Sequence, residues 1–200
     1  MKWFLVILIG YLLGCSNMAV YLAKAKKVDL KKGSGNPGTS NTLILMGKKC
    51  AVLVGIHDIG KAVVAVVIAR LLLPGYENEF AWALAGISCV IGHMYPFYMR
   101  FRGGKGFAPY IGLMLGFDWK AAIVIIILTV AISFVADYIV AGTLTTVISF
   151  PLYLAMTSEF RVTLLVTLLS GLIIYKHRKN LIRIYSLTEF KLRDQINKDK

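Results

Sequence analysis

The sequence predicts an all-α, polytopic bundle of membrane helices, and three observations carry that prediction. Hydrophobic residues make up 58% of the 200-residue chain, where soluble domains hold about 45–50% apolar residues, and the mean hydropathy is +0.70. The apolar residues gather in runs of membrane-spanning length. Three short polar segments, rich in Gly and in Lys or Arg, interrupt those runs: Gly33 to Gly47, His93 to Gly106 and Tyr175 to Glu189.

A bilayer core of about 30 Å takes roughly 20 apolar residues per helix. Trp3 to Ala23 is the first such run, followed by Cys50 to Leu73 and Phe80 to Tyr98. Phe107 to Phe117 is too short to cross upright and reads as a short or partly re-entrant helix buried in protein. Ala121 to Met156 is too long for one span, since at about 1.5 Å per residue it would run to roughly 54 Å. Asp137-Tyr138, followed by Gly142, therefore marks a tight turn between two helices. Arg161 to Tyr175 closes the set. The expectation is seven transmembrane helices, with five full-length spans as the smaller alternative. Residues 1–190 are expected to form a single polytopic domain, followed by a basic cytoplasmic tail at 191–200.

Lys and Arg accumulate in cytoplasmic loops. With the N-terminus outside, Lys2, Arg70, Lys120 and Arg161 face outward and are balanced by Glu77, Glu79, Asp118 and Glu159. The whole formal charge of +13 then lies on the cytoplasmic side, together with the C-terminus and all three polar segments. Such charge obeys the positive-inside rule, and it also attracts anionic substrates and lipid headgroups. Cys15, Cys50 and Cys89 form no CxxC pair, so neither a disulfide framework nor a metal site is indicated. Leu12-Leu13-Gly14-Cys15 resembles a lipoprotein cleavage site, but the apolar run continues to Ala23, as a true span does.

The first polar segment contains G-x-G-x-x-G at Gly33, Gly35 and Gly38. It follows a membrane helix and a lysine run rather than a β-strand, so a dinucleotide site is excluded. Glycines still allow the backbone N–H groups to form an anion-binding nest, with Ser34, Asn36, Ser40 and Asn41 as further donors. For this segment alone, an ordinary flexible loop is the default reading. In the second segment, Gly103-Gly104-Lys105-Gly106 precedes a helix, which is a phosphate cradle of N–H groups, helix dipole and a mobile cation; a basic membrane-edge loop is the alternative. His93 by itself reads as a hydrogen-bonded helix-end residue. In the third, His177 and Asn180 lie three apart on one helix face, as do Asn180 and Arg183, and a histidine there suits proton transfer near neutral pH. A juxtamembrane basic helix is the alternative there. Inside the second span, Asp58 and Lys61 are spaced to pair.

Taken in order, these segments resemble the bacterial acyl-phosphate:glycerol-3-phosphate acyltransferase family over nearly the whole chain. The likeness rests on Gly33-Ser34-Gly35-Asn36, Gly38, Asn41 and Gly47; on Gly92-His93, Tyr95-Pro96 and Gly103 to Gly106; and on Tyr175, His177-Arg178, Asn180, Arg183 and Glu189. Asp58 and Lys61 also match. The resemblance implies a multi-pass protein of the bacterial inner membrane with a cytoplasmic active site, and a single reaction. An acyl group passes from acyl phosphate to the 1-hydroxyl of glycerol 3-phosphate, giving 1-acylglycerol 3-phosphate and inorganic phosphate in phospholipid synthesis.

By that likeness Ser34, His177 and Asn180 are catalytic. Gly33, Gly35, Asn36, Gly38, Asn41, Gly103, Gly104, Lys105, Gly106, Arg178 and Arg183 bind substrate or phosphate, and His93 and Glu189 are structural. No cofactor and no metal are implied. The partners are acyl phosphate, glycerol 3-phosphate, membrane lipids and the soluble enzyme that makes acyl phosphate, with no nucleic acid. Departures also stand out: Ile44 replaces the family arginine, Pro109 a threonine, Val140 a serine and Leu187 a glycine. Two alternatives follow from them, a paralogue acting on another phosphorylated acceptor and a non-catalytic phosphate- or lipid-binding subunit.

Overall fold

The computed structural model describes residues 2–197, which contain helices and turns and no strand. Helices form because a backbone in hydrocarbon must satisfy its N–H and C=O groups within its own segment. The chain divides into two compact units, Met1–Asp118 and Trp119–Lys200.

The first unit opens with α1 (Lys2–Cys15) and α2 (Met18–Lys26). The first predicted span is thus broken at Ser16-Asn17, where Asn17 caps α2 by accepting a hydrogen bond from Val20 N at 3.1 Å. Cys15 is buried and α2 continues beyond it. Next comes α3 (Thr39–Leu72), which takes in the second half of the first polar segment and so corrects its reading as loop throughout. Gly47, at φ 79° and ψ 177°, interrupts α3 in a region open only to glycine. Thr39 Oγ1 lies 3.7 Å from where a Cβ on Gly55 would sit, so the first turns of α3 fold back along the span.

Helix α4 (Glu79–Met94) stops before Pro96, and a 3₁₀ turn (Phe97–Met99) leads to α5 (Phe107–Phe117). The short helix is where the sequence puts it, with Tyr110, Leu113 and Met114 fully buried against α3 and α4. Glycines allow the close approaches. A Cβ on Gly10 or Gly14 of α1 would strike the carbonyls of Ala85 or Cys89 on α4, and one on Gly112 of α5 would strike Ile59 O of α3. Small residues at contacts are what membrane helices use, because lipid supplies no hydrophobic drive to associate.

The second unit comprises α6 (Trp119–Ala136), α7 (Ile139–Thr157), α8 (Phe160–Lys176), α9 (Arg178–Tyr185) and α10 (Leu192–Asn197). Asp137, at φ 62°, makes the predicted turn between α6 and α7. Those two helices share a buried hydroxyl pair, Thr129 Oγ1 to Thr146 Oγ1 at 2.6 Å. Within the basic tail read at 191–200, α10 docks on the α6–α7 turn: Leu192 N donates to Asp137 O and Arg193 N to Asp137 Oδ1, both at 2.9 Å. The last three residues lie outside the described ones.

Lys2–Lys26, Thr39–Leu72, Glu79–Met99, Trp119–Ala136 and Ile139–Thr157 are long and apolar enough to cross a membrane, and α8 with α9 makes a sixth if that pair, bent by 50°, counts as one span. The outward faces are apolar, as at Val124, Ile127, Val135, Leu152 and Leu168. That is the pattern of a protein whose solvent is lipid.

Candidate functional site

Between α2 and α3, Gly33 and Gly35 both take positive φ (64° and 69°), but Gly35 N donates to Lys32 O at 3.2 Å and Gly38 N to Asn36 O at 2.9 Å, so these N–H groups close the loop's own turns and the expected backbone nest is reduced to side-chain donors. Asn41 shapes the loop. Its Oδ1 accepts from Ser34 N at 2.7 Å, and its Nδ2 donates to Leu30 O at 2.9 Å. Fully buried, Asn41 turns its amide inward, so its part is to hold Ser34 in place rather than to present a donor. Ser34 and Asn36 are half-buried, and Ser40 is exposed. Asn17 Nδ2 donates to Pro37 O at 3.2 Å and ties the loop to the α1–α2 break. Ile44, 37% exposed, stands beside Gly33, with its Cγ2 3.5 Å from where a Cβ on Gly33 would be.

The Gly103 to Gly106 turn is bound to the end of α4. Gly103 N donates to Met94 O and Gly104 N to His93 O, both at 3.0 Å, so these two N–H groups anchor the turn instead of facing an anion as the cradle reading expected. A side chain at 104 would run into His93 Nε2, so the turn lies directly on that ring. Gly106, at φ 92°, begins α5, and the half-buried Lys105 precedes it. Pro109 falls in the first turn of α5, where a backbone N–H has no helical partner. It leaves the helix intact and removes one donor from its N-terminal end.

Beneath the turn, Asp58 and Lys61 pair at 2.8 Å, as their spacing predicts. His93 joins them, its Nδ1 3.0 Å from Lys61 Nζ. That contact and the Ser16-Asn17 break were not foreseen. Two adjacent polar residues inside an otherwise apolar run were the available signal for the break; nothing in the spacing announces a contact between Lys61 and His93.

In the second unit, His177 sits at the bend between α8 and α9 rather than within a helix (φ −91°, ψ 0°). Buried to 6% exposure, its Nδ1 lies 2.9 Å from Ile173 O. A carbonyl only accepts, so Nδ1 carries the proton and Nε2 of the neutral ring is the basic nitrogen. Asn180 N donates to His177 O at 2.8 Å. Glu189 grips two residues of α9, accepting from Asn180 Nδ2 at 2.6 Å and from Arg183 Nε at 2.5 Å. Leu187, where the family glycine was noted missing, takes φ 56° in the turn that brings Glu189 back, a conformation glycine adopts more easily. Arg178 is exposed, donates to Tyr175 O at 3.0 Å and stacks over the Tyr175 ring at 4.1 Å.

Comparison with known proteins gives concordant results. The family profile described as glycerol-3-phosphate acyltransferase matches residues 4–187. A glycerol-3-phosphate acyltransferase of Pseudomonas aeruginosa (strain LESB58) is 38% identical over 192 residues, spanning 93% of this chain and 97% of its own. Glycerol-3-phosphate acyltransferase 1 of Oceanobacillus iheyensis is 34% identical over 204 residues, spanning 99% of both. The crystal structure of PlsY, an integral membrane glycerol 3-phosphate acyltransferase in its glycerol 3-phosphate form, is similar with a TM-score of 0.89 and 30% identity over 96% of each chain.

Proposed function

The chain belongs to the glycerol-3-phosphate acyltransferase family, and from that premise we propose that it transfers a fatty acyl group from acyl phosphate to the 1-hydroxyl of glycerol 3-phosphate. The hydroxyl oxygen bonds to the acyl carbon, the bond from that carbon to the phosphate oxygen breaks, and inorganic phosphate leaves. The observation that carries this reading is the whole-chain likeness to proteins named for acylation of glycerol 3-phosphate.

An acyl phosphate is already activated, so orientation and charge neutralisation do more for its transfer than a covalent nucleophile would. Both units hold groups of the required kind. In the first, the Ser34 hydroxyl and the Asn36 amide offer donors to phosphate, and Lys105 on its glycine turn offers a cation. Asn41 supports that loop from within. In the second, His177 Nε2 accepts the hydroxyl proton and Asn180 orients a reacting group, while Glu189 fixes Asn180 and Arg183. The positive-inside asymmetry supports a cytoplasmic site with the N-terminus outside, in the bacterial inner membrane. There the exposed lysines would meet anionic lipids and the soluble enzyme supplying acyl phosphate. The family match supports reading residues 1–190 as one acyltransferase domain.

Lys105→Ala and His177→Ala test these roles. Each is expected to lower turnover by about a hundredfold, the cost of a lost electrostatic or proton-transfer contribution, without unfolding the protein. Full turnover by both variants would remove the assignment.

A further inference from the structure

Lys61 lies in the apolar length of α3, yet its ammonium is completely engaged. An ammonium has three protons, and Lys61 Nζ has three acceptors: Ser16 O at 2.7 Å, Asp58 Oδ1 at 2.8 Å and His93 Nδ1 at 3.0 Å. Asp58, Lys61 and His93 are 1%, 7% and 4% exposed. A cation held this way has no proton left for a substrate phosphate. A buried ion pair is also a poor source of net stability, because desolvation offsets the attraction. What this one has in its reach is the pair of loops read above as phosphate holders.

Lys61 only donates, so His93 Nδ1 is the acceptor and the ring proton sits on Nε2, the atom against which Gly104 rests. His93 O also receives Gly104 N. The turn is therefore seated on His93 through both ring and backbone. On its other side the same lysine holds Ser16 O, and His57 Nε2 lies 2.9 Å from Ser16 Oγ. Tyr98 OH donates to Cys15 O at 2.8 Å. The neighbouring Asn17 donates to Pro37 O in the Gly33 to Gly38 loop.

We propose that Asp58, Lys61 and His93 form a positioning hub that fixes the Gly103 to Gly106 turn and, through Ser16-Asn17, keeps it in register with the Gly33 to Gly38 loop. These are positioning residues, none of which touches substrate. The inference rests on the reading of those two loops as phosphate holders.

The test uses the full chain in lipid nanodiscs and three variants. Lys61→Met leaves Asp58 buried without its partner; Asp58→Asn with Lys61→Met removes both charges together, a change proteins often tolerate. His93→Gln keeps an acceptor near Lys61 but removes the ring under Gly104. Amide hydrogen exchange in peptides covering Phe97 to Gly106 is measured beside unfolding temperature, kcat and KM for glycerol 3-phosphate. The hub predicts that folded variants exchange Gly103 and Gly104 at least about tenfold faster. It also predicts that they lose at least about tenfold in kcat/KM, as misplaced binding groups do. Unchanged exchange in every folded variant overturns the proposal, and so does Lys61→Met losing turnover with the turn still protected, because Lys61 would then act on substrate directly. Exchange is read without turnover, so an inactive wild type would refute the proposed reaction and leave the hub to be decided by the amides.

Discussion

Replacing Glu189 separates the two contacts that it makes. Its carboxylate, 9% exposed, receives Asn180 Nδ2 at 2.6 Å and Arg183 Nε at 2.5 Å. Glu189→Gln keeps one carbonyl oxygen, enough for Asn180, and turns an amide donor toward a guanidinium that also only donates. A hydrogen bond to a charged group contributes about 1.5–3 kcal/mol. The Arg183 side chain is 32% exposed, so water screens the pair and recovers part of that, leaving a loss of about 1 kcal/mol. Glu189→Ala removes both bonds, one of them to the buried Asn180, 5% exposed, for a total of about 2–4 kcal/mol. Asn180 also shifts in the alanine variant, and a displacement of about 1 Å in a positioning group can cost a hundredfold in rate. Thermal unfolding in lipid and acyl transfer at saturating substrate should therefore diverge. The glutamine variant is expected to lose a few degrees and less than about tenfold in kcat, and the alanine variant about a hundredfold. Equal activity of both variants with wild type would refute the view that Glu189 sets Asn180; equal and severe losses would place the function in the Arg183 charge instead.

The remaining predictions concern the first unit. Gly104→Ala drives a methyl group into His93 Nε2 and is expected to raise KM for a phosphorylated substrate about tenfold or more with little loss of secondary structure; circular dichroism with steady-state kinetics checks it, and an unchanged KM would mean that the turn can move. Asn41→Ala deletes the bonds to Ser34 N and Leu30 O and should cost about 2 kcal/mol with a loss of turnover, measured by thermal unfolding and assay. Ile44→Arg sets a guanidinium beside Gly33, where it can reach a phosphate held by the loop. Turnover should hold or rise, and a large fall would show a pocket rebuilt around the isoleucine.

The membrane class, the helix pair split at Asp137 and the short buried helix at Phe107–Phe117 were all legible in the sequence, because each depends on length and hydropathy, which local composition records. The Asp58 to Lys61 pair was legible for the same reason, being an i, i+3 spacing on one helix. Contacts distant along the chain were not. Lys61 with His93 and Asn17 with Pro37 arise from how α3 and α4 and the α1–α2 break pack, and no period along one segment encodes that. The bend at His177 also escaped notice, since Tyr175 to Arg183 contains neither Gly nor Pro to mark it. Asn41 was read as one of the donors to an anion, and only the fold shows it within α3 with its amide turned inward to Ser34 N and Leu30 O.

The most direct test of the central claim is the reaction itself, run with purified protein in lipid. It would be given palmitoyl phosphate and glycerol 3-phosphate, with palmitoyl-CoA as a parallel donor, while lysophosphatidate and inorganic phosphate are followed together. The account predicts one phosphate released for each lysophosphatidate formed from acyl phosphate, with no need for the thioester. Turnover from the thioester alone, or none in folded protein, would contradict it.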